Sequence, residues 1–145
     1  MTDIMAAAAL VILTAASIYD IRTLEVPLWL TCGGIGIELS LLVELMITGD
    51  LPVKFFIMRL GFSIFLFVTF YIGMKYGNFG GADTLLITMV YLAIGYDGIY
   101  AVMLSFVYVI PYTLYMKIKK CEHSYAFVPY LFAGYITVII FSKLL

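Results

Sequence analysis

The sequence predicts an all-α membrane protein of about six transmembrane helices. Three observations carry that expectation: a large apolar surplus, apolar stretches that recur along the chain, and short breaks rich in glycine, proline and charge. Of 145 residues, 65% are hydrophobic and only 12% charged, whereas a soluble domain is about half apolar and a quarter charged. A chain this small has no core able to hide the surplus, and the bilayer is the solvent that fits it. The net charge is −1. The few scattered basic residues cannot track a phosphate backbone, so nucleic acid is excluded as a partner. The loops leave no room for a soluble domain, and residues 1–145 read as a single polytopic membrane domain.

The first apolar run is about Ile4–Ile18. Asp3 precedes it rather than a positive region, so it reads as a retained helix and not as a cleaved signal peptide. The second is about Leu28–Ile47, ended by Thr48-Gly49-Asp50 with Pro52 beyond. The third, about Phe55–Met74, ends at the glycine-rich Tyr76-Gly77-Asn78-Phe79-Gly80-Gly81. The fourth is about Thr84–Tyr96, and the Gly95-Tyr96-Asp97-Gly98 cluster reads as a turn that separates it from the next. The fifth is about Ile99–Met116, ended by Lys117-Ile118-Lys119-Lys120. The sixth is about Tyr125–Phe141. Spanning takes about 20 residues, so the first and fourth runs are short and draw flanking residues into the interface. Trp29 and several tyrosines near span ends suit interfacial anchoring.

Alternation of sides places Arg22, Lys75, Lys117, Lys119 and Lys120 on one face and Lys54, Arg59 and Lys143 on the other. The positive-inside rule then assigns the first face to the cytoplasm and the N-terminus to the outside. The same parity brings Asp20, at the end of the first span, and Asp83, at the start of the fourth, to the cytoplasmic face of the cell membrane.

Two carboxylates within hydrogen-bond reach do not both ionise easily: one keeps a proton and the other stays charged. Such a dyad polarises a peptide carbonyl and activates water without a metal or a covalent nucleophile. Singly, Asp20 reads as an interfacial charge paired with Arg22, and Asp83 as the N-cap of the fourth helix. Gly77, Gly80 and Gly81 shift the balance, because they free the backbone to bend and let another segment approach.

Other hydrolytic chemistries lack their parts. His123 is the only histidine, so no zinc motif and no serine triad is expected, and no Gly-x-Ser-x-Gly elbow occurs. Cys32 and Cys121 read as free thiols outside any Cys-x-x-Cys pair. No cofactor is expected. Glu38 and Glu44 lie within the second run. Glu38 sits near mid-membrane on a helix with Gly33, Gly34 and Gly36, which suit close helix packing.

The segment Asp20-Ile21-Arg22-Thr23-Leu24-Glu25-Val26-Pro27 has a Val-Pro pair ending seven positions after the aspartate. Gly80-Gly81-Ala82-Asp83 is a Gly-x-Gly-Asp type signature with alanine at its third position. Val128-Pro129-Tyr130-Leu131-Phe132-Ala133-Gly134 opens the last helix. In order and spacing these resemble the type IV prepilin peptidases, most closely their small archaeal preflagellin and prepilin relatives, over nearly the whole chain. The resemblance implies six membrane helices, with Asp20 and Asp83 as the catalytic aspartates and Gly80, Gly81 and Ala82 as the signature loop. It implies a substrate too: a type IV prepilin or preflagellin precursor whose short basic leader precedes a hydrophobic helix. The cysteine-bearing region of many bacterial members is absent, so no N-methyltransferase activity is expected. Leu85 stands where a lysine is often found. Glu25, beside the first aspartate, and Glu122, in a cytoplasmic loop, are candidates for attracting the basic leader.

Two other readings fit parts of the pattern. A presenilin or signal-peptide-peptidase kind of protease shares the Tyr-Asp and Gly-x-Gly-Asp elements, but this chain is much shorter and has no Pro-Ala-Leu motif. A small transporter or secretion-assembly subunit would use Glu38 as an ion-coupling residue.

Overall fold

The computed structural model describes residues 2–76, 80–118 and 126–144. They form six helices: α1 (Thr2–Thr23), α2 (Leu28–Ile47), α3 (Val53–Tyr76), α4 (Gly81–Ile94), α5 (Asp97–Ile118) and α6 (Val128–Leu144). No strand occurs among the described residues. Four of the helices, α1, α2, α3 and α5, are long and apolar enough to cross a membrane, whereas α4 and α6 are shorter apolar helices. The exposed surface carries Val11, Ile57, Ile64, Phe65, Ile72 and Met103 among many large apolar side chains. Such a surface suits hydrocarbon rather than water, and the chain is an all-α membrane protein.

The helix ends follow the breaks in the sequence, with one informative shift. The backbone of α1 continues a turn past Ile18, so Asp20 and Arg22 lie inside the helix. It stops at Leu24, which has a left-handed backbone (φ 55°). Between α4 and α5, Gly95 adopts φ 64° and returns its N–H to the Tyr91 carbonyl, forming the expected turn.

Helix α4 is the hub. It packs against each of the other five helices, and from Leu86 to Ala93 every residue is buried. The others wrap round it, α2 and α3 on one side, α5 and α6 paired on another, and α1 between α2 and α6. Lipid gives no hydrophobic drive for helix association, so close approach and hydrogen bonds hold such bundles. At Gly134 a Cβ would run into the Ala101 carbonyl oxygen; this glycine sets the contact between α5 and α6. The Tyr135 hydroxyl donates to the Ala6 carbonyl at 2.8 Å, tying α6 to α1. The buried hydroxyls of Thr31, Ser63, Thr88 and Ser105 return to carbonyls of their own helices, which satisfies these four donors in an apolar interior.

Of the three glycines expected to pack α2 closely, only Gly34 does: a Cβ there would come 2.7 Å from Met89 Sδ, while Gly33 and Gly36 face open space. The three fall on different sides of one helix, and only one side meets α4.

Candidate active site

Asp20 sits in the last turn of α1 and is 6% exposed. Its Oδ2 accepts the Val128 N–H at 2.8 Å, and the Phe127 N–H is a further donor. Phe127 caps α6, for its carbonyl accepts the N–H groups of Tyr130 and Leu131. The first N–H groups of a helix have no partner within it. A carboxylate from α1 supplies one here, and it meets the positive end of the α6 dipole.

Asp83 is not the N-cap of α4; Gly80 is, and it lacks a side chain to serve. Asp83 lies in the first helical turn and folds back onto the Gly80 backbone N–H, as an acid at the third helical position does. A Cβ on Gly80 would lie 2.9 Å from Asp83 Oδ2. Any other residue at 80 would push that carboxyl out of place.

Helix parity thus becomes contact geometry. A cavity of about 410 Å³ is lined by Asp20, Leu24, Glu25, Val26, Phe127 and the whole Gly80-Gly81-Ala82-Asp83 stretch. Within it the Asp20 and Asp83 carboxyls lie close enough to interact electrostatically. Each is held by backbone N–H groups from one side, which leaves other oxygen lone pairs to face the cavity. Two acids from different helices thus face one cavity.

The rim is shaped by Thr23 and Leu24. The Thr23 hydroxyl lies 2.9 Å from the Tyr19 carbonyl and 2.8 Å from the Glu25 carbonyl, and it accepts the Glu25 N–H at 3.3 Å. This clasp spans Leu24, which stays left-handed although leucine disfavours that region, and it turns the exposed Glu25 toward the cavity. Glu122 lies outside the described residues, as do Gly77, Cys121 and His123. Cys32 is an exposed free thiol.

Glu38 does not line this cavity. It is fully buried, and neither carboxyl oxygen has a hydrogen-bond partner among the described residues. Among the same residues no group of three or more His, Cys, Asp or Glu is arranged to hold a metal ion. Sequence reasoning did not single out Leu24, Phe127 or the N–H groups at the start of α6. The Val128-Pro129 pair was the available signal for the last of these, since it marks a helix start.

A family model described as the type IV leader peptidase family matches residues 7–114. That stretch contains most of α1, all of α2 to α4 and most of α5, and with them both aspartates and the Gly80–Asp83 stretch. No curated protein and no solved structure matches the chain.

Proposed function

The chain belongs to the type IV leader peptidase family, and from this premise we propose that it is an aspartic endopeptidase whose catalytic pair is Asp20 and Asp83. The observation that carries this reading is the shared cavity: two acids far apart in sequence converge on it from α1 and α4. The family accounts for a peptidase, and the dyad accounts for how one works with these residues.

In the proposed reaction, one proton is shared between the two carboxyls. The ionised member takes a proton from water as it attacks the scissile carbonyl, and the protonated member donates to the carbonyl oxygen. Asp20, held at the start of α6, suits the ionised role, because backbone N–H donors stabilise a carboxylate. Asp83 then supplies the proton. Gly80, Gly81 and Ala82 form the floor beside it, where the lack of bulk leaves room for a peptide backbone.

The substrate in this reading is a pilin-like or archaeal flagellin-like precursor, cut between its short basic leader and the hydrophobic helix that follows. Cleavage takes place at the cytoplasmic face, to which the lysine distribution assigns Asp20 and Asp83. Glu25, exposed at the cavity rim, attracts the leader's positive charge, and Glu122 is a second candidate for that role. N-methylation is not part of the activity, and the whole chain acts as one polytopic peptidase domain.

The test uses purified protein with a prepilin-like precursor and follows leader removal by mass. Wild type should cut, and Asp20→Asn and Asp83→Asn should each cut at least about a hundredfold more slowly. Cleavage near the wild-type rate in either variant defeats the dyad.

A further inference from the structure

The central helix is short, and most of the shortfall is at its C-terminal end. Helix α4 has 14 residues against 24 in α3, or about 21 Å against about 36 Å. The hydrocarbon layer is about 30 Å thick. At its start, α4 lies level with Met74 of α3, since a Cβ on Gly81 would meet Met74 Sδ at 3.2 Å. At its end it lies level with Arg59, since a Cβ on Gly95 would meet Arg59 Cζ at 3.6 Å. Each recess is a cavity. The first holds Asp20 and Asp83. The second, of about 340 Å³, is at the opposite end of α4 and is lined by Leu51, Phe55, Met58, Arg59, Tyr91 and Tyr96 among others.

This second cavity holds a cation where hydrocarbon would otherwise be. Helix α3 runs six residues beyond Arg59 to its first residue, Val53, which is about 9 Å at 1.5 Å per residue. Arg59 forms no salt bridge among the described residues, and its Nε is buried without a hydrogen-bond partner. No hydrogen bond joins it to the last carbonyls of α4. Glu38 senses its charge, yet the two form no ion pair. Asp97 lines the cavity and is exposed at its edge, also unpaired with Arg59. A guanidinium with neither a hydrogen bond nor an ion pair at this depth is unfavourable, and a phosphodiester suits its planar donor fork. Phe55 and Met58 are half exposed on the lipid side of the same cavity. Both precede Arg59 on α3, toward the helix start, and so flank the headgroup position.

We propose that the recess at the C-terminal end of α4 is a phospholipid site, in which Arg59 holds the headgroup phosphodiester and Phe55 and Met58 flank the headgroup. Tyr91 and Tyr96 close its inner wall. The bound lipid draws the headgroup layer down to the level where α4 stops. This site is separate from the dyad and stands whether or not the protein is a peptidase.

Native mass spectrometry of the purified protein in detergent, titrated with phosphatidylglycerol, tests the proposal. Wild type should retain one lipid, and Arg59→Met should weaken retention at least tenfold. Arg59→Lys should fall between them, and Lys54→Met, which removes an exposed neighbouring charge, should match wild type. Millimolar inorganic phosphate should leave the lipid bound. Wild-type retention in Arg59→Met overturns the site, and so does displacement by inorganic phosphate, which would mark a free-anion pocket. If the methionine variant does not fold, as judged by circular dichroism, Arg59→Gln takes its place under the same criterion.

Discussion

Asp20 and Asp83 reach one cavity from helices of opposite sense, Asp20 from the last turn of α1 and Asp83 from the first turn of α4. Asp83 thus stands at the positive end of its own helix. Asp20 stands at the negative end of its own and borrows the positive end of α6 through Val128. The two carboxyls share a chamber but not an environment, and that difference is what a two-acid mechanism needs.

Asparagine keeps one acceptor oxygen for the N–H groups of Val128 or Gly80 but cannot exchange the proton. Asp20→Asn and Asp83→Asn should therefore fold and lose about 10²–10⁴-fold in cleavage rate each. Leader-release kinetics, read beside circular dichroism of the same samples, decide the matter; loss of helix together with loss of activity would point to structure instead.

The rate should pass through a maximum with pH. In acid both carboxyls are protonated and no base remains. In alkali both are ionised and no donor remains. Activity then falls on each side, and the two midpoints belong to the pair rather than to either residue. A flat profile from acidic to neutral pH contradicts a shared proton.

Glu25 is exposed, so its attraction for a basic leader is screened and modest. Glu25→Lys should raise KM for a basic leader by about five- to tenfold, near 1 kcal/mol, with little change in kcat. A leader with its lysines neutralised should barely respond. Equal effects on both leaders would remove Glu25 from recognition.

Leu24 is held left-handed by its surroundings, at about 1–2 kcal/mol for a residue with a Cβ. Asparagine tolerates that region better. Leu24→Asn should leave the protein as stable or raise stability by up to about 1 kcal/mol, while cleavage declines because an apolar side chain at the cavity rim is lost. Thermal unfolding in detergent and leader release, measured on one preparation, give both numbers. A clear drop in stability would mean the conformation is not strained.

Gly134 offers the converse case. Its Cα lies against the Ala101 carbonyl, so Gly134→Val must separate α5 from α6. Overpacking of this kind lowers stability by about 1–3 kcal/mol, and resistance to detergent unfolding reports it. Gly36→Val, on open space, should leave stability nearly unchanged.

Much of the site was legible because charged and glycine residues interrupt an apolar chain. Asp20, Asp83 and Gly80 stand out for that reason, and span parity alone brought the aspartates to one end. The helix bounds were less legible. Asp83 stands just before the fourth apolar run, yet it lies inside α4, because the first helical turn accepts Gly, Ala and Asp as readily as apolar residues. Which of Gly33, Gly34 and Gly36 would meet a neighbour depended on where α4 packs, and three adjacent letters carry no such direction. Arg59 read only as a charge on one face. Its depth became visible once α4 was seen to stop opposite it.

The bond between Asp20 and Val128 joins residues near the two ends of the described chain. During synthesis, α1 leaves the ribosome long before α6. Until the last helix is inserted, Asp20 lacks the donors that hold it, although Asp83 and the glycine stretch are already in the membrane. The surroundings that set Asp20 apart from Asp83 are therefore complete only once α6 is in place. In the reading proposed above, a half-made chain carries both acids but not yet the N–H groups that hold one of them ionised.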